Sequence, residues 1–282
     1  MEETAQTDQD PAPRPRVWTA FVAWAVALTA SVGLYLSAGT IAVIVQEAGP
    51  RFFGLAPTDP KAFSITSTPA FVLFITTCTS AEYLGLALVL AALSPRPWRE
   101  RLRLQPSQAG LGAYLVAATA YLALCECADV VGYACDWKES VFARTVVDAG
   151  PAAMVWGVVV VGAISSLGME LLYRGYVQTR LVERWGRWPG ILVTSVLAGV
   201  SFLDLRHGLF GFASSVFVGW VVERCRSGRP AIVASLVNST VWLLTIGVVR
   251  NASLTMDLVL LVVFVLVALA AIPLLRHLTP EA

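Results

Sequence analysis

Leu258-Val-Leu-Leu-Val-Val-Phe-Val-Leu-Val-Ala-Leu-Ala-Ala-Ile-Pro-Leu-Leu275 runs without one charged side chain. A bilayer core about 30 Å thick needs roughly 20 apolar residues of helix, because a chain crossing it must satisfy its own backbone polar groups. This stretch therefore predicts a membrane-spanning helix. Comparable runs recur upstream at Val17 to Val45, Phe71 to Leu93, Leu111 to Ala134, Met154 to Val177, Trp188 to Leu205, Leu209 to Val222 and Ala231 to Val249. The predicted fold is all-α, a polytopic transmembrane helix bundle of about eight spans. The fifth and sixth runs are short, since about 15 residues at 1.5 Å each reach only ~23 Å. Six spans plus a re-entrant hairpin is the alternative left open.

Composition agrees. Of 282 residues, 57% are hydrophobic and 14% charged, whereas a soluble domain carries about 25% charged residues. Twenty basic against 19 acidic residues leave no global positive field, so nucleic acid is not an expected partner and the lipid bilayer is. Residues 1–16 are a polar tail, and the apolar run after them is too long for the core of a cleavable signal peptide. The remainder, 17–282, reads as one transmembrane domain.

Cytoplasmic loops are enriched in Lys and Arg. One side gathers Arg14, Arg16, Arg96, Arg99, Arg101, Arg103, Arg180, Arg184, Arg187, Arg224, Arg226, Arg229 and Arg276; the other holds Arg51, Lys61, Lys138, Arg144, Arg206 and Arg250. The asymmetry predicts both termini in the cytoplasm and an even number of spans. With the Ala/Val/Leu/Arg-rich composition, it predicts a protein of the bacterial inner membrane. Breaks fall between the spans at Ser94-Pro-Arg-Pro97, Gly150-Pro151, Gly186-Arg-Trp-Pro189 and Ser227-Gly-Arg-Pro230. Trp98, Trp137, Trp185 and Trp188 beside them suit the membrane interface.

Ionisable groups inside a bilayer are costly and tend to face the bundle interior. Here they are Glu82, Glu126, Asp129, Glu170, Arg174 and Asp204. Glu170 and Arg174 stand at i and i+4 with the acid first, which puts both on one helical face in the favourable order and predicts an ion pair. Without a surrounding motif, Glu82 and Glu126 read first as groups that pair and hold helices together.

The segment Gly168-Met-Glu-Leu-Leu-Tyr-Arg-Gly-Tyr-Val-Gln-Thr-Arg-Leu181 resembles the first motif of the CPBP family, the CAAX-protease and bacteriocin-processing intramembrane endopeptidases. That motif reads Glu-Glu-x-x-x-Arg-Gly, usually with an aromatic residue before the Arg. Glu170, Tyr173, Arg174 and Gly175 match, and Arg184-Trp-Gly-Arg-Trp-Pro189 and Arg226-Ser-Gly228 look like the family's turns. The resemblance covers roughly 154–244. It implies a protease in which a Glu and two His activate water to cut a peptide bond at the membrane while an Asn stabilises the oxyanion. A membrane protein or peptide is then the implied substrate or partner.

This chain departs from the pattern at the water-activating positions. Met169 replaces the first Glu, and Glu170 lies about 100° round the helix from it. The second motif, Phe-x-x-x-His, falls on Ala198-Gly-Val-Ser-Phe202, with Phe202 at the His. The third, His-x-x-x-Asn, has two registers: Ala234 with Asn238, or Ser235 with Ser239. The chain has two histidines, and His277 reads as an interfacial residue beyond the last span. His207 reads as a loop or helix-end residue, and a shifted site would use Glu170, Asp204, His207 and Asn238.

Cys125, Cys127 and Cys135 around Glu126 and Asp129 read as packing residues, because i and i+2 do not share a helical face and no His joins them. The sequons at Asn238 and Asn251 are set aside as chance triplets. No cofactor and no metal is predicted. The expected function is a CPBP-like membrane protein that keeps the Glu170–Arg174 clamp but has lost catalysis and serves as a binding or chaperoning pseudoenzyme. The alternatives are an active endopeptidase with a rearranged site, for which Glu170, Arg174, His207 and Asn238 are the catalytic candidates, and a transporter lined by Glu82, Glu126 and Glu170.

Overall fold

The computed structural model describes residues 16–53, 68–135, 141–249 and 254–279. The N-terminal tail to residue 15, Lys61, Trp137, Lys138, Arg250 and the Asn251 sequon lie outside them. Every regular element among the described residues is helical: α1 (Trp18–Phe53), α2 (Pro69–Ala92), α3 (Trp98–Arg101), α4 (Leu111–Ala134), α5 (Val141–Asp148), α6 (Pro151–Trp185), α7 (Arg187–Val200), α8 (Leu205–Cys225), α9 (Arg229–Val249) and α10 (Leu254–Leu278). Six of these, α1, α2, α4, α6, α8 and α10, contain stretches long and apolar enough to cross a membrane. Large side chains such as Leu258, Val262, Leu266 and Leu269 of α10 are exposed, as expected of a lipid-facing helix.

The two shortest expected spans resolve differently. The run expected to end at Leu205 stops at Val200, so α7 has 14 residues and rises only about 21 Å. The chain turns there because Leu203 takes a positive φ of 54° and Asp204 caps the next helix, its carboxylate accepting from the His207 backbone N–H at 3.3 Å. That cap starts α8 at Leu205, four residues earlier than expected, and gives it 21 residues. The helix expected over 154–177 continues to Trp185 as α6 and is π-helical over Val158–Ser165 and Leu171–Gln178. Hydroxyls beside these wider turns bond five residues back: Ser166 Oγ to the Val161 carbonyl (3.2 Å) and Thr179 Oγ1 to that of Arg174 (3.3 Å). Single π turns inside α-helices often mark functional sites.

α6 packs against α2, α7 and α9, while α4 lies against α8, α9 and α10. Small residues set the spacing, as is usual between membrane helices. Ala20, Ala23 and Ala27 of α1 and Ala87 and Ala91 of α2 share one core with Leu171, Leu172, Tyr176 and Leu181 of α6. Two glycines of the motif segment permit direct backbone approach. A Cβ on Gly168 would lie 2.7 Å from the Leu84 nitrogen, and one on Gly175 would lie 2.9 Å from the Leu102 carbonyl oxygen.

Many of the arginines assigned to one side by loop alternation meet in one layer. Arg96 pairs with Glu183 at 2.7 Å, Arg103 with Glu223, and Arg224 donates to the Arg276 carbonyl and to Thr279. Arg229 reaches the Leu104 carbonyl at 2.8 Å, and Ser227 reaches that of Gln105 at 2.7 Å. This basic end is stitched from three loops and the end of α10, whereas Arg206 starts α8 at the opposite end.

Candidate functional site

Between α4, α6, α8 and α9 lies a cavity of about 850 Å³. Its walls mix apolar groups such as Leu124, Val161 and Phe210 with Ser165, Ser214 and Asn238. Glu170 reaches it from the turn where α6 becomes π-helical. Its Oε1 accepts from Ser235 Oγ at 2.7 Å, and its Oε2 lies 3.6 Å from Arg174 Nε, with both side chains 10% exposed or less. The ion pair expected from the i, i+4 spacing is therefore present and buried, while of the two carboxylate oxygens only Oε1 is hydrogen-bonded, Oε2 and Arg174 Nε having no hydrogen-bond partner among the described residues.

Arg174 continues the chain of polar contacts. It donates to Ser215 Oγ on α8 at 2.6 Å and to Gln178 Oε1 at 3.3 Å. Gln178 in turn donates to the Gly219 carbonyl (3.0 Å) and to Glu223 (2.8 Å), and Glu223 pairs with Arg103 at the basic end. Glu170, Arg174 and Gln178, one α-helical turn apart in sequence, form a ladder linking the cavity to that end. Each member needs the next, because a buried polar group without a partner is costly.

All four residues singled out from the sequence line this cavity: Glu170, Arg174, His207 and Asn238. They are not in mutual contact as a group. His207 lies eight residues before Ser215, the partner of Arg174, and so about 12 Å farther along α8. It is 55% exposed and pairs through Nδ1 with Asp204. Hydrogen bonds from the His207 ring and backbone hold the Asp204 carboxyl below its ordinary range. Asp129 of α4 and Trp242 of α9 line the same cavity as His207. The Asn238 Oδ1 is buried with no hydrogen-bond partner among the described residues.

The replaced motif positions also converge here. Met169 and Phe202 both line the cavity. Of the two registers for the third motif, Ser235 and Ser239 both face it: Ser235 bonds Glu170, and Ser239 Oγ lies 3.0 Å from Ser166 Oγ. Ala234, of the other register, is 2% exposed and absent from the lining. The Ser235 contact was not readable from the sequence, because its partner lies 65 residues away. Gln178 was readable as the next step of the 170, 174 face, and Glu223 offered no local signal.

Glu82 accepts from Ser31 at 2.9 Å where α1 meets α2, away from this cavity, and Glu126, 7% exposed on α4, does not line it either. Glu170 is thus the one member of the Glu82, Glu126, Glu170 set on its wall. Cys125 and Cys127, expected to pack in the core, line the cavity as free thiols. Among the described residues no three His, Cys, Asp or Glu side chains cluster as metal ligands.

The apolar spanning helices and the cavity they enclose define an integral membrane protein of the polytopic helical class. Residues 151–241, which comprise α6, α7, α8 and most of α9, match the family model described as Type II CAAX prenyl endopeptidase Rce1-like, and this stretch contains the Glu170–Gly175 motif that resembles the CPBP family. Among curated proteins and among solved structures, nothing matches.

Proposed function

We propose that this chain is a non-catalytic, Rce1-like protein that holds a membrane-embedded peptide segment in the cavity, with its basic end in the cytoplasm of a bacterial cell. The observation carrying this reading is the chemistry at the three replaced positions. Met169, Phe202 and Ser235 stand where the family resemblance expects Glu, His and His, and all three line one cavity. A thioether and a phenyl ring neither take nor give a proton, and a lone serine hydroxyl is a poor base. Glu170 ties α6 to α9 through Ser235 and is ion-paired with Arg174 of its own helix. The cavity offers apolar walls for side chains and hydroxyls and an amide for an extended backbone, the usual composition of a small-ligand or peptide site.

The reading is tested by photocrosslinking. A benzophenone amino acid at Phe202, in the full chain reconstituted in vesicles, is expected to capture an intact hydrophobic peptide carrying a prenylated C-terminal cysteine motif. Recovery of shortened peptide, with cleavage lost on Glu170→Gln or His207→Ala, contradicts it.

A rearranged endopeptidase is the second reading. It is favoured by the Asp204–His207 pair and by the unpartnered Asn238 Oδ1 on the same cavity as Glu170. In that case His207, oriented through Nδ1 by Asp204, would serve as base, and His207→Ala would abolish cleavage while leaving peptide capture intact.

A further inference from the structure

The basic end contains a buried cation with an unpartnered hydrogen-bond donor among the described residues. Arg101 on α3 is only 5% exposed. Its Nε donates to Ser94 Oγ at 2.8 Å, and its Nη1 is buried with no hydrogen-bond partner among the described residues. Arg180 of α6 adds a second guanidinium, with its Cζ 4.4 Å above the Tyr176 ring and a buried, unpartnered Nε. Arg96 adds the third. The carboxylates of this group are Glu183 and Glu100, and Arg96 lies against both, at 2.7 Å and 3.9 Å. Burial first, and then the charges of Arg180 and Arg96, push Arg101 below the ordinary arginine range.

We propose that Arg96, Arg101 and Arg180 form an anion site that takes a phosphate group where the Ser94–Pro97 turn enters α3. A buried charge lacking a counter-ion is strongly unfavourable, and a phosphate beside the cluster supplies negative charge that Arg101 lacks. Guanidinium forks match phosphate geometry better than ammonium groups do. All the cations of this cluster are arginine. Phosphate is presented at a membrane surface by a phospholipid headgroup and in solution by the free ion, and both offer the same oxygens.

The test uses the full chain in neutral-detergent micelles, with thermal unfolding followed by tryptophan fluorescence. Phosphatidylglycerol, phosphatidylcholine with identical tails, inorganic phosphate, and chloride at matched ionic strength are added to wild type, Arg101→Lys, Arg101→Gln, Arg180→Gln and Arg226→Gln. A ligand that binds the folded state raises the midpoint in proportion to the logarithm of its concentration. Phosphatidylglycerol, or phosphate, is expected to raise the wild-type midpoint by a few degrees over its control. Arg101→Gln and Arg180→Gln are expected to lose most of that gain, and Arg101→Lys part of it. Arg226, exposed at the same end, reports diffuse attraction, and its Gln variant is expected to keep the gain. A rise with phosphatidylglycerol alone identifies the headgroup, and a rise with phosphate as well identifies the free anion. Should Arg101→Gln not fold, Arg180→Gln and Arg101→Lys decide. No gain from either ligand, an equal gain in the Arg101 and Arg180 variants and wild type, or an equal loss in Arg226→Gln overturns the proposal.

Discussion

Replacing Glu170 with Gln keeps the side chain's shape and leaves an Oε1 that still accepts from Ser235, so the perturbation removes charge and little else. In the native protein the Glu170 and Arg174 side chains are 10% and 4% exposed, with Oε2 and Nε 3.6 Å apart. Arg174 keeps two neutral acceptors after the change, Ser215 and Gln178, but loses its counter-ion. Breaking a buried pair by deleting one partner costs about 3–5 kcal/mol, and the remaining hydrogen bonds put this case near the lower end, about 3 kcal/mol. A neutral replacement of both residues, Glu170→Gln with Arg174→Met, leaves no stranded charge, so its cost should fall below the sum of the single changes by about 2 kcal/mol. The assay is equilibrium unfolding of the protein in mixed micelles by titrated denaturing detergent, run as a double-mutant cycle. Additive single changes, or a Glu170→Gln variant within about 0.5 kcal/mol of wild type, would refute the view that the clamp is a buried and mutually dependent pair.

Gly175→Ala is expected to destabilise by about 1–3 kcal/mol, since its Cβ would fall 2.9 Å from the Leu102 carbonyl oxygen. Gly85→Ala, with nothing within 4 Å of the new Cβ, should be neutral or gain up to about 1 kcal/mol of helix propensity in the same assay. Asp204 gives a pH dependence of known sign. Its folded pKa is depressed, so the stability it contributes is present above the unfolded value of about 3.9 and is lost as pH falls through the lower folded value. Hydrogen-exchange mass spectrometry, corrected for intrinsic rates, should find the first turn of α8 protected at about pH 5 and opening below about pH 4. Opening already at pH 5 would contradict the cap. Glu223→Gln, which weakens the link from Gln178 to Arg103, should loosen the Arg103 loop in exchange experiments while leaving α10 unchanged.

What could be read from the sequence was whatever depends on neighbours along the chain. Long apolar runs gave the spanning helices, since bilayer thickness sets their length, and the 170, 174 spacing gave the buried pair. The Glu170-x-x-x-Arg174-Gly175 motif led to the family that the 151–241 match supports. Its glycine has a packing reason, the backbone contact with Leu102. Features that depend on distant partners were not legible. Ser235 is an ordinary helical serine until α9 brings it to Glu170, and Glu223 an ordinary helix-end acid until Arg103 and Gln178 meet it. The early start of α8 was signalled by Asp204 in an N-cap position, but the apolar run placed the boundary at Leu209. The loop charges separated two sets of arginines without revealing that Arg96, Arg103, Arg224 and Arg229 of one set tie neighbouring elements together, with Arg101 buried beside them.

The central claim, that the cavity keeps a peptide-binding shape but lacks the groups that activate water, is tested most directly by putting those groups back. Purified wild type and the Met169→Glu/Phe202→His/Ser235→His variant are reconstituted in vesicles and given a prenylated peptide carrying a quenched fluorophore. The account predicts no cleavage above empty vesicles for wild type and measurable cleavage for the triple variant. Wild-type turnover that disappears with Glu170→Gln or His207→Ala would contradict it.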